Sequence, residues 1–302
     1  MRVFVTGASG WIGSATVQEL LAAGHEVTGL ARSDASAAAL RAQGVRVLRG
    51  DLDDLASIRR GAEDAEAVIH LANKHDWSNP ANSITAERAA VQTIGDALVG
   101  TNRPFLLASG VAGLNRGRPA AEDDPSPFHG PDSPRGGSEN LALDFVDRGV
   151  HTVSLRFAPT VHGTGDHGFI GTIAAVARDK GVSGYPGDGT NLWAAVHRSD
   201  AARLVALGLA KAPAGARLHA VAEDGVPSRV IAAAIGRAFG LPVAPIAPED
   251  VQGHFGWIGT FFSMDLAATS TKTRELVGWE PAGPTLIDDI DAGAYSARAL
   301  SE

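Results

Sequence analysis

The 302-residue sequence contains no cysteine. Disulfides, thiolate nucleophiles and cysteine-ligated metal sites are therefore excluded. Long hydrophobic runs are missing too. No stretch approaches the roughly 20 apolar residues that span a bilayer, so no membrane is expected as a partner. There is no basic block either: 26 Lys and Arg stand against 34 Asp and Glu, mixed along the chain, for a net charge of −8. Phosphate-backbone binding needs concentrated positive charge, so nucleic acid is not an expected partner. No G-x-S-x-G elbow occurs, which removes the commonest hydrolase signature. His162 and His167 stand five apart with no third ligand evident, so no metal site is expected. The start, MRVFVTG, moves straight into structure without the basic and apolar regions of a secretory leader, and the cytoplasm is the expected location.

What is present is the composition of an ordinary globular protein, with an alternation of short β-branched runs and longer amphipathic ones. Strands are expected at Arg2–Thr6, Glu26–Ala31, Val45–Arg49, Ala67–Leu71 and Phe105–Ala108, with helices at Trp11–Ala23, Ala35–Gln43, Leu52–Arg60 and Ser83–Leu98. This spacing is the pattern of βαβ units on a doubly wound parallel sheet, an α/β fold of the Rossmann type. Residues 1–158 would form the dinucleotide-binding domain. Residues 159–302 would form a smaller C-terminal substrate lobe, with part of 190–212 packing back on the first domain. Between them, Gly113 to Gly137 is so rich in Gly and Pro that a long surface loop is expected.

Thr6-Gly7-Ala8-Ser9-Gly10-Trp11-Ile12-Gly13 sits between the first strand and first helix. Gly7 permits the tight turn, Gly10 lets a pyrophosphate approach the backbone, and Gly13 lets helix pack close to strand. The helix N-terminus then offers free N–H groups to the phosphates. The second strand ends at Arg32-Ser33-Asp34. In this fold that end faces the adenosine ribose, where an acidic side chain suits a free 2′-OH and arginine suits a 2′-phosphate. Arg32 with Ser33 favours NADP(H), and Asp34 is the rival. Asp51 could accept from the adenine amino group or cap the helix expected near Leu52.

The ordered series TGASGWIG, GLARSD, GDLDD, AVIHLA, FLLASG, SLRFAPTVHGTGD and GYPGDGTNLWAAVHRSDAARL resembles the extended and atypical short-chain dehydrogenase/reductase superfamily, the epimerase/dehydratase-like branch. The resemblance implies a cofactor groove lined by Gly7, Ser9, Gly10, Trp11, Ile12, Arg32, Asp51, Leu52 and Ala72, and makes Asp200 a structural acid. It also exposes a departure. Standard members use Tyr-x-x-x-Lys, but this chain has only two tyrosines, followed four places on by Gly189 (after Tyr185) and Ala299 (after Tyr295). At the expected place stands Arg135-Gly136-Gly137-Ser138-Glu139, with Arg and Glu in the Tyr and Lys positions.

Reduction of a carbonyl then needs another proton donor, and histidine has the most suitable pKa. His75, beside Asp76, follows the fourth strand; His162 and His167 flank the loop after the sixth. Ser109 ends the fifth strand near the superfamily's active-site serine. Glu139 is read as an exposed helix charge in preference to a substitute acid. Tyr185 and His197 resemble substrate-lobe positions, and Trp193, Phe255 and Trp257 could line an apolar pocket, although large aromatics are more often simple core. The expected activity is NADPH-dependent reduction of a small carbonyl or related unsaturated compound, by a monomer or homodimer. The alternatives are a non-redox epimerase or dehydratase with held cofactor, and an NADP(H)-sensing binding protein.

Overall fold

The computed structural model describes residues 1–74, 79–114 and 117–296. The chain alternates β1 (Arg2–Thr6), α1 (Trp11–Ala22), β2 (Glu26–Ala31), α2 (Asp34–Ala42), β3 (Arg46–Arg49), α3 (Leu55–Asp64), β4 (Ala67–His70), α4 (Pro80–Leu98), β5 (Pro104–Gly110), α5 (Ser138–Asp144) and β6 (His151–Phe157). It continues with β7 (Thr160–His162), α6 (Phe169–Lys180), β8 (Ser183–Pro186), β9 (Leu192–His197), α7 (Arg198–Lys211), β10 (Arg217–Ala220), β11 (Glu223–Pro227), α8 (Ser228–Phe239) and β12 (Val243–Ile246), and ends in short helices.

Seven parallel strands in the order β10-β6-β5-β4-β1-β2-β3 make the main sheet, so the strand order reverses between β1 and β4. The strands read as unbroken apolar runs because both faces are covered. Successive side chains point to opposite faces. Val3 and Val5 accordingly join the layer holding Val17, Leu20 and Leu204, while Phe4 joins the one holding Ile58, Ile94 and Phe145. The remaining strands form a three-stranded sheet, β11-β9-β7, and a two-stranded one, β12-β8. Their core gathers Ile170, Trp193, Ile231, Phe255, Phe262 and Tyr295.

Two expectations need correction. The helix expected from Leu52 starts at Leu55, because Asp51 Oδ1 accepts the N–H groups of Asp53 and Asp54 and holds a turn there. Asp54, not Asp51, is the cap: its carboxylate accepts the Ser57 N–H at 3.1 Å. The Gly- and Pro-rich segment is not simply a surface loop. Ala120 exchanges backbone hydrogen bonds with Ala267 and Thr269, Glu122 is buried against Thr273, and Asn140 donates to the carbonyls of Ser126 and Phe128. From beyond residue 159, β10 closes the edge of the main sheet beside β6. α7, just before it, packs along α1.

Candidate active site

The glycine loop joins β1 to α1 at the point where strand order reverses, the place where ligands bind in this architecture. Gly7 has φ +69°, and a Cβ there would stand 2.7 Å from the Ala72 amide nitrogen. A Cβ on Gly13 would run into the Gly7 carbonyl group. Gly10 caps α1 with its N–H donated to the Gly7 carbonyl at 2.9 Å, and no side-chain oxygen caps the helix. The first N–H groups of α1 are therefore left for a ligand. Ser9 and Gly10 are exposed, and Trp11 and Ile12 are half-buried. The backbone here fits a dinucleotide pyrophosphate.

Just past the end of β2, Arg32 is exposed and makes no side-chain hydrogen bond or ion pair among the described residues. Ser33 is the N-cap of α2, its hydroxyl accepting the Ser36 N–H at 3.1 Å. Asp34 is engaged by Arg49, whose guanidinium lies 3.1 Å from its carboxylate and donates to the Ser33 carbonyl at 2.6 Å. Arg49 escaped the sequence reading because strand-end arginines are common and only strand pairing brings β3 beside β2. Asp51 is exposed. Leu52 is buried in the core, and half-buried Ala72 donates its N–H to Thr6 Oγ1 at 3.3 Å.

Where the resemblance would place a tyrosine, the backbone is unlike a helix. Arg135, Gly136 and Gly137 have φ of 52°, 60° and 61°, and α5 begins only at Ser138. For a residue with a Cβ this left-handed conformation is strained, a condition that tends to persist at functional sites. The Arg135 side chain is 40% exposed. It donates from Nη2 to Glu87 at 2.5 Å and to the Ala108 carbonyl at 2.9 Å, and from Nε to Glu87 at 3.2 Å. Glu87 is buried and also accepts from Asn73 at 2.7 Å. A guanidinium is thus fixed at the C-terminal end of β5. Ser109, next along, donates to Glu139 at 3.3 Å. Glu139 is buried in an ion pair with Arg156, which corrects its reading as an exposed charge.

The structure separates the histidines. His75 lies outside the described residues. His162 is completely buried, with Nδ1 2.6 Å from Asp289, so it does not open onto a cleft. His197 stacks edge-on to it at 5.5 Å and shares Asp289 at 3.9 Å. Burial holds the His197 ring below the ordinary histidine value, against the opposing pull of Asp289. Asp289 lies 127 residues beyond His162, so sequence inspection could not pair them. His167 is exposed and meets the Trp11 ring edge-on at 5.9 Å. The loop carrying it is clamped by Asp166, which accepts the Gly168 N–H at 2.6 Å and the buried Tyr295 hydroxyl at 2.8 Å. Burial pushes the Asp166 carboxyl up.

Tyr185 is half-buried on β8, and its ring packs where a Cβ on Gly189 would fall. Trp193 is fully buried and donates to the Met264 carbonyl, so it forms core behind Phe169 instead of an open wall. Half-buried Phe169, directly after the clamped loop, also meets Trp257 and Phe261. Asp200 is buried and accepts the N–H groups of Ala282 and Gly283, a structural role. No helix among the described residues is long and apolar enough to cross a membrane, and no group of three or more His, Asp or Glu there could hold a metal.

The family model described as NAD dependent epimerase/dehydratase family matches residues 3–221. An uncharacterized protein of Schizosaccharomyces pombe is 43% identical over 296 residues, covering 98% of this chain and 100% of that one. A 2-alkyl-3-oxoalkanoate reductase of Stenotrophomonas maltophilia is 30% identical over 204 residues, covering 63% of this chain and 60% of its own length. Among solved structures, the UDP-glucose 4-epimerase of Thermus thermophilus in complex with NAD superposes with a TM-score of 0.74 at 23% identity, over 98% of this chain and 100% of that one. The last likeness concerns the fold alone.

Proposed function

Because this chain belongs to the NAD dependent epimerase/dehydratase family, we propose that it is an NADPH-dependent reductase of a small apolar carbonyl compound that works without a tyrosine acid. The observation that carries this reading is the side-chain-free cradle of Gly7, Gly10 and Gly13 at the sheet's reversal point, with Arg32 at the neighbouring end of β2. An exposed guanidinium there suits a 2′-phosphate, and Arg49 occupies the competing Asp34. The similarity to an oxoalkanoate reductase supports a carbonyl substrate.

The bound cofactor would supply the hydride. Arg135 is then placed to do part of the tyrosine's work. Held by Glu87 and the Ala108 carbonyl, its guanidinium faces the strand ends as a fixed positive charge, and a fixed charge stabilises a developing alkoxide without reorganisation cost. A guanidinium does not release its proton at neutral pH. The proton would come from water or from exposed His167. Ser109 would anchor this end of β5 through Glu139. Phe169 and its aromatic neighbours would give the substrate an apolar wall.

The test is a titration of the protein with NADPH and NADH, followed by NADPH oxidation with a panel of apolar ketones and 3-oxo acids. Micromolar NADPH binding with turnover of at least one ketone is the expected result. Binding of neither nucleotide, or binding with no turnover across the panel, would sink the reductase reading. Arg135→Gln should lower kcat about 100-fold with nucleotide affinity unchanged.

A further inference from the structure

Arg198 opens α7, yet its side chain is built into the first turn of α1. Its Nε donates to the Trp11 carbonyl at 2.6 Å and its Nη2 to Ser14 Oγ at 2.5 Å. The guanidinium carbon lies 4.2 Å from the centre of the Trp11 ring. The indole N–H in turn donates to the Val161 carbonyl at 2.7 Å. Trp11 is thereby held on three sides by groups from residues 161 to 198.

The chemistry of that grip reaches the glycine loop. Trp11, Ile12 and Gly13 are the first helical residues, so their N–H groups lack intrahelical acceptors. The Trp11 carbonyl and the Ile12 N–H belong to one peptide group. A cation bonded to the carbonyl polarises that peptide and strengthens its N–H as a donor. The half-buried charge also adds to the positive end of the α1 dipole, where anions bind.

We propose that Arg198 is a positioning residue for the dinucleotide pyrophosphate, acting through the Trp11–Ile12 peptide. The inference rests on the nicotinamide cofactor of the reading above, but not on NADPH against NADH. It is tested by measuring dissociation constants of both nucleotides for the unsubstituted protein, Arg198→Met and Arg198→Lys. Melting of each ligand-free protein is recorded, together with ³¹P spectra of the bound nucleotide. Arg198→Met should weaken both nucleotides roughly tenfold, and Arg198→Lys less. The pyrophosphate resonances should move while the 2′-phosphate resonance stays, with ligand-free melting little changed. Affinities within about twofold of the unsubstituted protein, or a weakening that tracks a fall in melting temperature with unmoved pyrophosphate resonances, would overturn the proposal. If the unsubstituted protein binds neither nucleotide, the cofactor reading fails and takes this inference with it. Equal binding by the unsubstituted protein and Arg198→Met removes this inference alone.

Discussion

Arg156 Nε lies 2.7 Å from Glu139 Oε1, with both side chains buried. Glu139 also accepts from Ser154 at 2.8 Å and from Ser109 at 3.3 Å, and Arg217 stands 4.0 Å away. The place where the superfamily resemblance expects a lysine is therefore a carboxylate tied into a buried charge network. Removing one partner of such a pair strands the other in a low dielectric. Glu139→Gln should cost about 3–5 kcal/mol in denaturant unfolding, and Glu139→Lys more, since it sets a third cation beside Arg156 and Arg217. A loss below about 1 kcal/mol for Glu139→Gln, the scale of a surface pair, would mean that the pair contributes little.

Gly13 and Gly24 separate two reasons for glycine. A Cβ on Gly13 meets the Gly7 carbonyl, whereas one on Gly24, with φ +78°, meets nothing within 4 Å. Gly24→Ala should cost roughly 1–2 kcal/mol of backbone strain and leave nucleotide binding intact. Gly13→Ala should abolish micromolar nucleotide binding, because helix and loop must part. Normal NADPH affinity in Gly13→Ala would show that the cradle does not hold the phosphates.

Arg32 and Arg49 make a graded prediction. Arg32→Ala should weaken NADPH by roughly ten- to a hundredfold, the loss of a charge-assisted contact, and leave NADH unchanged. Arg49→Met should have a smaller effect, because its guanidinium already serves Asp34 and the Ser33 carbonyl. Added salt should erode the NADPH preference, since these charges are exposed. Equal loss of NADPH and NADH in Arg32→Ala would count against a 2′-phosphate contact.

His70 provides a pH signature. Its ring is buried at the end of β4, Nδ1 lies 2.8 Å from Thr6 Oγ1, and Nε2 has no hydrogen-bond partner among the described residues. Burial, reinforced by the Arg135 charge, lowers its pKa from 6.5 to about 3. Between those values the unfolded chain binds the proton and the folded one does not. Stability from this group is thus fully present above pH 6.5 and falls as pH drops toward 3, by up to about 1.4 kcal/mol per unit. His70→Asn should flatten that slope in melting curves taken from about pH 7 to 5, the span in which an ordinary histidine titrates. An unchanged slope would mean that other groups govern acid sensitivity.

Much of this was legible in the chain alone. Val3, Phe4 and Val5 read as a strand buried on both faces, and Gly7 and Gly13 read as a tight turn and a close helix–strand approach, because both depend on neighbours a few residues apart. Their geometry is local, fixed by backbone sterics and the two-residue strand period. The absence of any Tyr-x-x-x-Lys was equally plain from the sequence. Tertiary structure decided the rest. It buried Glu139 against Arg156, took His162 out of reach by pairing it with Asp289, and turned Trp193 into core. It carried β10 back to the main sheet and brought Arg198 onto Trp11 across 187 residues. Whether a charge is solvated or buried depends on which distant groups surround it. That is settled by packing, and residue type and spacing along the chain carry no record of it.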